Sequence, residues 1–152
     1  TLTARLVDHC GIPLARAPEG LARCFPDAAT LAALSPDVLG RLGIVKQRQQ
    51  AILSLAQAVY SGALHLQPGG DVPATMAQLQ SLPGIGTWTA HYIALRALRW
   101  PDAFPSGDVA LQSALGVREA NSPAAATEAL SQRWRPWRGY ATVRAWQSLS
   151  KT

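Results

Sequence analysis

The segment Leu82-Pro83-Gly84-Ile85-Gly86-Thr87-Trp88-Thr89-Ala90 constrains this chain more than any other. Helical periodicity runs up to Leu82 and resumes at Thr87, so two helices are joined by a very short turn. Two glycines at a spacing of two let that turn close tightly and let another backbone come near. The N–H groups of Gly84, Gly86 and Thr87 then stand at a helix N-terminus. Unbonded donors and the helix dipole favour an anion there. A phosphate gripped in this way is held through the backbone, whatever polymer sequence carries it. A bare Gly-x-Gly would mean no more than an ordinary connection. The full string, with a helix on each side, is far more specific.

The rest of the chain is helical in character. Ala and Leu are abundant, and alternating β-branched runs are absent. A short helix is expected over Ala28–Leu34. Ser35-Pro36-Asp37 reads as an N-cap followed by Pro at the first helical position. A longer helix runs from Lys46 to Ser61, with Ile52, Leu55, Ala56 and Val59 at three- and four-residue spacing. Gln67–Asp71 is a loop and Pro73–Leu82 a helix. Thr87–Leu98 follows the glycine turn. Trp100–Gly107, with two prolines and a glycine, is a loop. Asp108–Leu115 is a short helix, a further one starts at Ser122-Pro123, and Trp137–Leu149 is the last. The reading is a single all-α domain over 1–152, neither a coiled coil nor a regular bundle, without internal repeats.

Hydrophobic residues make up 48% of the 152, enough for a core, and the formal net charge of +5 suits a polyanionic partner without requiring one. The positive charge gathers towards the end. Arg133, Arg135, Arg138, Arg144 and Lys151 occur after Ala129 with no acid among them. That stretch is either a phosphate-facing surface or a solvated helix face. Cys10 and Cys24 are too few for an iron–sulfur cluster, which usually takes four cysteines. They are expected as reduced, buried small apolar groups. His9, His65 and His91 have no metal spacing, so no metal ligand is assigned. No apolar run is long enough to cross a membrane and no secretory signal is visible. The first residue is Thr1 rather than Met, so a fragment is expected.

Several strings together resemble one family. They are Leu82–Ala90, Tyr92, Ala94-Leu95-Arg96 and Arg133-Trp134-Arg135-Pro136-Trp137-Arg138-Gly139-Tyr140-Ala141. The first resembles the helix-hairpin-helix motif of the DNA glycosylases, and the set as a whole resembles the 3-methyladenine DNA glycosylase II family. The likeness is weaker around Leu42-Gly43 and covers nearly all of the chain. It implies a multi-helix helix-hairpin-helix glycosylase domain that lacks a preceding helix with a DNA wedge and an N-terminal β-rich domain. It implies base-excision repair of alkylated purines in double-stranded DNA by a monomer in the bacterial cytoplasm, associated with the nucleoid through DNA. No cofactor is implied, beyond room for a monovalent cation at the hairpin.

The superfamily's catalytic Asp lies in a loop downstream of the hairpin, and Phe104-Pro105-Ser106-Gly107-Asp108 occupies that place. Taken locally, Asp108 is also a natural N-cap. The two roles are compatible. Glycosidic hydrolysis usually needs an acid for the leaving group and a carboxylate for the developing cation. Only one well-placed carboxylate is found, which suffices if the leaving base is already cationic, as an N3- or N7-alkylated purine is. Asp108 then stabilises the oxocarbenium-like sugar. Trp88 and Tyr92 lie four residues apart on one helix face, and Trp146 is on the last helix. They are expected either as a pocket that holds the flipped base by stacking and cation–π contact, or as core filler. Related glycosylase/lyases carry a nucleophilic Lys where this chain has Trp88, so a glycosylase without lyase action is implied. Gly84, Gly86, Thr87 and Arg48 are the expected phosphate contacts. Arg138 either joins them or braces the loop bearing Asp108. His91 is expected to face DNA or solvent, and Trp134, Trp137 and Tyr140 to lie in the core. The alternative from another class is a helix-hairpin-helix DNA-binding module without catalysis.

Overall fold

The structure is a computed structural model that describes residues 1–149 apart from Ala17 and Glu19. Lys151 of the basic C-terminal stretch therefore lies outside the described residues. The chain divides into two compact units, one of Thr1–His65 with Leu82–Gly84 and the other of Leu66–Ser81 with Ile85–Thr152.

The first unit holds α1 (Leu2–Cys10), α2 (Ala28–Ala32), α3 (Pro36–Arg41) and α4 (Lys46–Tyr60). Its helices α2 and α3 start where a side chain offers an acceptor to the free first-turn donors. The Asp27 carboxylate accepts from Thr30 N–H at 2.8 Å, and the Ser35 hydroxyl accepts from Val38 N–H at 3.4 Å just before Pro36. Leu6, Leu31, Leu39, Ile44 and Ala56 make the core of this unit, with Leu2, Ile52 and Leu53 packed against them. A small antiparallel ladder, β1 (Ile12–Pro13) and β2 (Arg23–Cys24), pairs Ile12 with Cys24 and Pro13 with Arg23. Two residues per strand leave no alternation to read, so sequence periodicity passes over it. The ladder also corrects the expectation for the cysteines. Cys24 is exposed and Cys10 half-buried, and both are free thiols.

The second unit holds α5 (Val72–Ser81), α6 (Thr87–Arg96), α7 (Val109–Ala114), α8 (Pro123–Ser131), a 3-10 turn over Gln132–Trp134, and α9 (Arg138–Leu149). Expected and observed ends differ by a residue or two, as fraying ends do. Ala94, Leu98 and Ala103 are buried with Met76, Leu95 and Trp100 around them, and Phe104, Leu111, Thr127 and Thr142 are also closed off from solvent. Gly139 is what lets the start of α9 meet the Trp100–Gly107 loop. Its N–H donates to the Pro101 carbonyl at 2.7 Å, and a Cβ there would stand 2.8 Å from that oxygen and 2.9 Å from Leu95 Cδ1. Trp137 and Tyr140, expected in the core, are instead 58% and 67% exposed and meet each other edge to face. They flank the buried pair Arg138 and Gly139, and the turn of helix that buries those two points their neighbours outward.

A candidate glycosylase active site

The two hairpin glycines play different parts. Gly84 has φ +81°, the left-handed region that L side chains rarely adopt. A Cβ there would also lie 2.9 Å from Ala51 Cβ and 3.1 Å from the Gln47 carbonyl, in the first turns of α4. Gly84 is thus required by the packing of its own unit. Gly86 has φ −86°, ψ 175°, an extended conformation open to any residue, and among the described residues a Cβ on it would meet nothing within 4 Å. It is the N-cap of α6 and no side chain caps that helix end. Thr87 is exposed at its first position. A bare, uncapped helix start is a place where an outside anion meets N–H groups and the positive end of the dipole. In the first unit, α4 also begins without a side-chain cap or first-turn acid, and carries exposed Lys46 and Arg48 there. Two cations at the positive end of a helix dipole oppose the dipole unless an anion is present.

Asp108 stands at the end of the Trp100–Gly107 loop as the N-cap of α7, its Oδ1 accepting from Leu111 N–H at 2.7 Å. The capping geometry is set by the loop before it, where Asp108 N–H donates to the Pro105 carbonyl at 2.8 Å and the Gln112 amide donates to the Ser106 carbonyl at 3.0 Å. Two indoles complete the carboxylate's surroundings. Trp146 Nε1–H donates to Oδ1 at 2.9 Å, and Trp88 Nε1–H donates to Oδ2 at 2.8 Å. Trp88 and Tyr92 stack with ring centroids 5.3 Å apart and 13° between planes, and Tyr92 meets Trp146 at 6.0 Å. The structure therefore gathers Asp108, Trp88, Tyr92 and Trp146 into one group. Sequence placed the aromatics there as stacking faces; that two of them hydrogen-bond the carboxylate had no signal in spacing alone. Tyr92 is engaged by Trp88 and by the Arg96 guanidinium, 5.6 Å from its centroid. Trp88, 42% exposed, is the aromatic of the three most open to a guest.

Sequence reasoning left a second cluster unresolved. Arg138 is 3% exposed. Its guanidinium donates to both oxygens of Asp102 at 2.7 Å and to Glu128 at 2.8 Å. Arg135 adds a bond to Asp102 Oδ2 at 2.8 Å. Of the two roles open for Arg138, bracing the loop is the one its position allows, because its guanidinium is buried and bonded to two carboxylates rather than presented at the surface. The expectation of a phosphate contact at Arg138 is therefore not met. Of the basic C-terminal stretch, Arg133 lies over the Trp134 ring at 5.1 Å, while Arg133 and Arg144 remain exposed. Burial pushes the Asp102 carboxyl up, but hydrogen bonds and charge from Arg138, with the charge of Arg135, outweigh it and hold the group below its ordinary value.

His91 also departs from expectation. It is not open to solvent. Half-buried on α6, it stacks against Trp100 at 6.0 Å, and its Nδ1 accepts from Phe104 N–H at 3.1 Å. Burial first, then the charge of Arg138, lowers its pKa against the smaller opposite pull of Glu128 and Asp102. The neutral ring is the form that accepts the loop's N–H. Among the described residues no group of three or more His, Cys, Asp or Glu side chains could hold a metal ion, and no helix is long and apolar enough to cross a membrane.

No protein-family profile matches the chain. Curated relatives do. The chain is 39% identical over 151 residues to a probable bifunctional transcriptional activator/DNA repair enzyme AlkA of Mycobacterium tuberculosis, covering 98% of this chain and 29% of that protein. It is 38% identical over 145 residues to DNA-3-methyladenine glycosylase 2 of Escherichia coli, covering 95% and 49%. The chain thus spans about half or less of the length of these relatives. Among solved structures, a 3-methyladenine DNA-glycosylase from Archaeoglobus fulgidus superposes with TM-score 0.74 at 19% identity, covering 95% of this chain and 50% of that one. A Clostridium acetobutylicum 8-oxoguanine glycosylase/lyase does so with TM-score 0.81 at 14% identity, covering 99% and 52%. The fold is therefore that of the helix-hairpin-helix DNA glycosylases. Within that class, the chain is homologous to the 3-methyladenine DNA glycosylase II family.

Proposed function

We propose that this chain carries the catalytic centre of a monofunctional base-excision repair glycosylase, which hydrolyses the N-glycosidic bond of alkylated, cationic purines in double-stranded DNA. The observation that carries this reading is the Asp108 carboxylate, fixed by three N–H donors beside the aromatic group of Trp88, Tyr92 and Trp146. A base drawn out of the stack meets the open Trp88 ring, where a cationic purine gains from stacking and cation–π contact. Such a base leaves without being protonated, so one carboxylate is enough. Asp108 opposes the positive charge that grows on the sugar as the bond breaks. Water completes the hydrolysis and leaves an abasic site.

The absence of a lysine supports the monofunctional reading. Trp88 stands on α6 where a lyase would present its nucleophile, and the chain's two lysines, Lys46 and Lys151, lie elsewhere in the sequence. The bare start of α6 at Gly86 and Thr87, and exposed Arg48 on α4, supply backbone and charge for phosphate contact without base readout. The reading as a DNA-binding module without catalysis leaves the Asp108 group without a purpose.

The test is Asp108→Asn in the whole protein. Asparagine keeps the capping oxygen and removes the charge. Release of 3-methyladenine from methylated duplex DNA should fall by at least about 100-fold, with binding to abasic-site DNA retained. Near-normal release by that variant would sink the proposal.

A further inference from the structure

The three hydrogen bonds to Asp108 are shared unequally between its oxygens. Oδ1 accepts two, from Leu111 N–H at 2.7 Å and Trp146 Nε1–H at 2.9 Å, whereas Oδ2 accepts one, from Trp88 Nε1–H at 2.8 Å. Each carboxylate oxygen offers about two in-plane lone-pair sites. Oδ1 is therefore saturated, and Oδ2 keeps one site open among the described residues. The donors differ in mobility as well. Leu111, in the first turn of α7, is fully buried, and Trp146 is half-buried on α9. Trp88 is 42% exposed in the first turn of α6.

We infer that Oδ2 is the oxygen that faces the reacting sugar, that Trp146 is a positioning residue which locks the carboxylate through Oδ1, and that the Trp88 N–H is an exchangeable occupant of Oδ2. This assignment rests on Asp108 being the catalytic carboxylate. A cation developing at the sugar is stabilised by a lone pair already aimed at it, because no reorganisation is then needed as the bond breaks. Two donors on Oδ1 fix both the position and the plane of the carboxylate, so Oδ2 cannot swing away. The N–H on Oδ2 has the opposite effect: it draws off the charge that the sugar needs. Trp88 must therefore release Oδ2 when the sugar arrives. Its exposed position at a helix start gives it the freedom to do so, and its ring remains available to stack on the departing base. The two tryptophans thus have separate jobs, although both bond the same side chain.

The experiment follows the indole N–H signals of the whole, isotope-labelled protein by NMR. The probe is duplex DNA in which one sugar is replaced by a cationic pyrrolidine ring, which mimics the charge of the transition state. On binding, the Trp88 indole signal should move as its bond to Oδ2 is lost, while the Trp146 signal keeps its position. A shift at Trp146 with Trp88 unmoved, equal shifts at both, or no shift at either overturns the assignment. Kinetics give a second readout. Trp146→Phe should slow single-turnover base release by roughly 100-fold and weaken binding of the pyrrolidine duplex, with melting temperature and affinity for the undamaged duplex unchanged, and Trp88→Phe should slow release much less. Asp108→Asn assayed alongside separates the two levels. Normal release by Asp108→Asn removes the functional reading itself. An inactive Asp108→Asn with Trp146→Phe as fast as the parent leaves that reading standing and removes only the oxygen assignment.

Discussion

Asp102 and Asp108 sit within and just after one loop and are treated in opposite ways. Asp102 is 6% exposed and bonded to two guanidinium groups, Arg138 and Arg135. Every strong donor around it is a cation, and its lone pairs are spoken for. Asp108 is less buried, and all three of its donors are neutral N–H groups. The first carboxylate has its charge neutralised and holds the loop to α9. The second keeps its charge and is only aimed. A buried ion pair spends its electrostatics inside the protein, whereas a carboxylate held by neutral donors still has a net charge to direct at something else. The comparison separates a carboxylate that makes a site rigid from one that the site exists to present.

Stability should divide the two most sharply. Asp102→Ala leaves Arg138 buried with only Glu128 as partner, and should cost about 3–5 kcal/mol, read as a large fall in melting temperature. Asp108→Ala removes an N-cap, an effect of about 0.5–2 kcal/mol, and should lower the melting temperature far less while base release is lost. Equal losses of stability would erase the distinction.

Acid should sharpen it further. The folded-state pKa of Asp102 lies below its unfolded value, so its contribution is fully present above the ordinary carboxylate range, about pH 4, and is lost as pH falls through the folded value. A melting series from pH 6 downward should show that loss in the parent and not in Asp102→Asn, whose starting stability is lower. The smallest effect belongs to His91. Its pKa is also lowered on folding, so the folded state resists a proton that the unfolded chain takes up below about pH 6.5. Stability should therefore decline as pH falls from 7 to 5, and His91→Phe should flatten that slope. A slope unchanged in the variant would mean that the ring does not hold Phe104 N–H in solution.

Much of the fold was legible in the sequence because its helices announce themselves at their ends. Ser35-Pro36 and Ser122-Pro123 mark helix starts in the sequence and begin α3 and α8 in the structure. Asp108 was readable as both cap and candidate catalyst, and it occupies the capping position. The grouping of Trp88, Tyr92 and Trp146 was expected from family likeness, since α6 and α9 are far apart in sequence and no local rule joins them. What escaped was everything fixed by long-range polar pairing. The partners of Arg138 are ten and thirty-six residues away, and His91 finds Phe104 across thirteen. Periodicity reports which face of a helix is apolar; it does not report which buried cation meets which buried anion. Trp137 and Tyr140 failed in the other direction, because large rings are usually buried, and here the inward positions between them belong to Arg138 and Gly139.

The empty space around Gly86 makes it a place to hang a chemical handle. A Cβ there meets nothing within 4 Å among the described residues and strains no torsion, whereas one at Gly84 would collide with α4. A cysteine introduced at position 86 is therefore tolerated by the folded chain and stands at the uncapped start of α6. Labelled with a small photoreactive group, it becomes a ruler for whatever approaches that helix end, and the neighbouring glycine, two residues away, cannot be used in the same way.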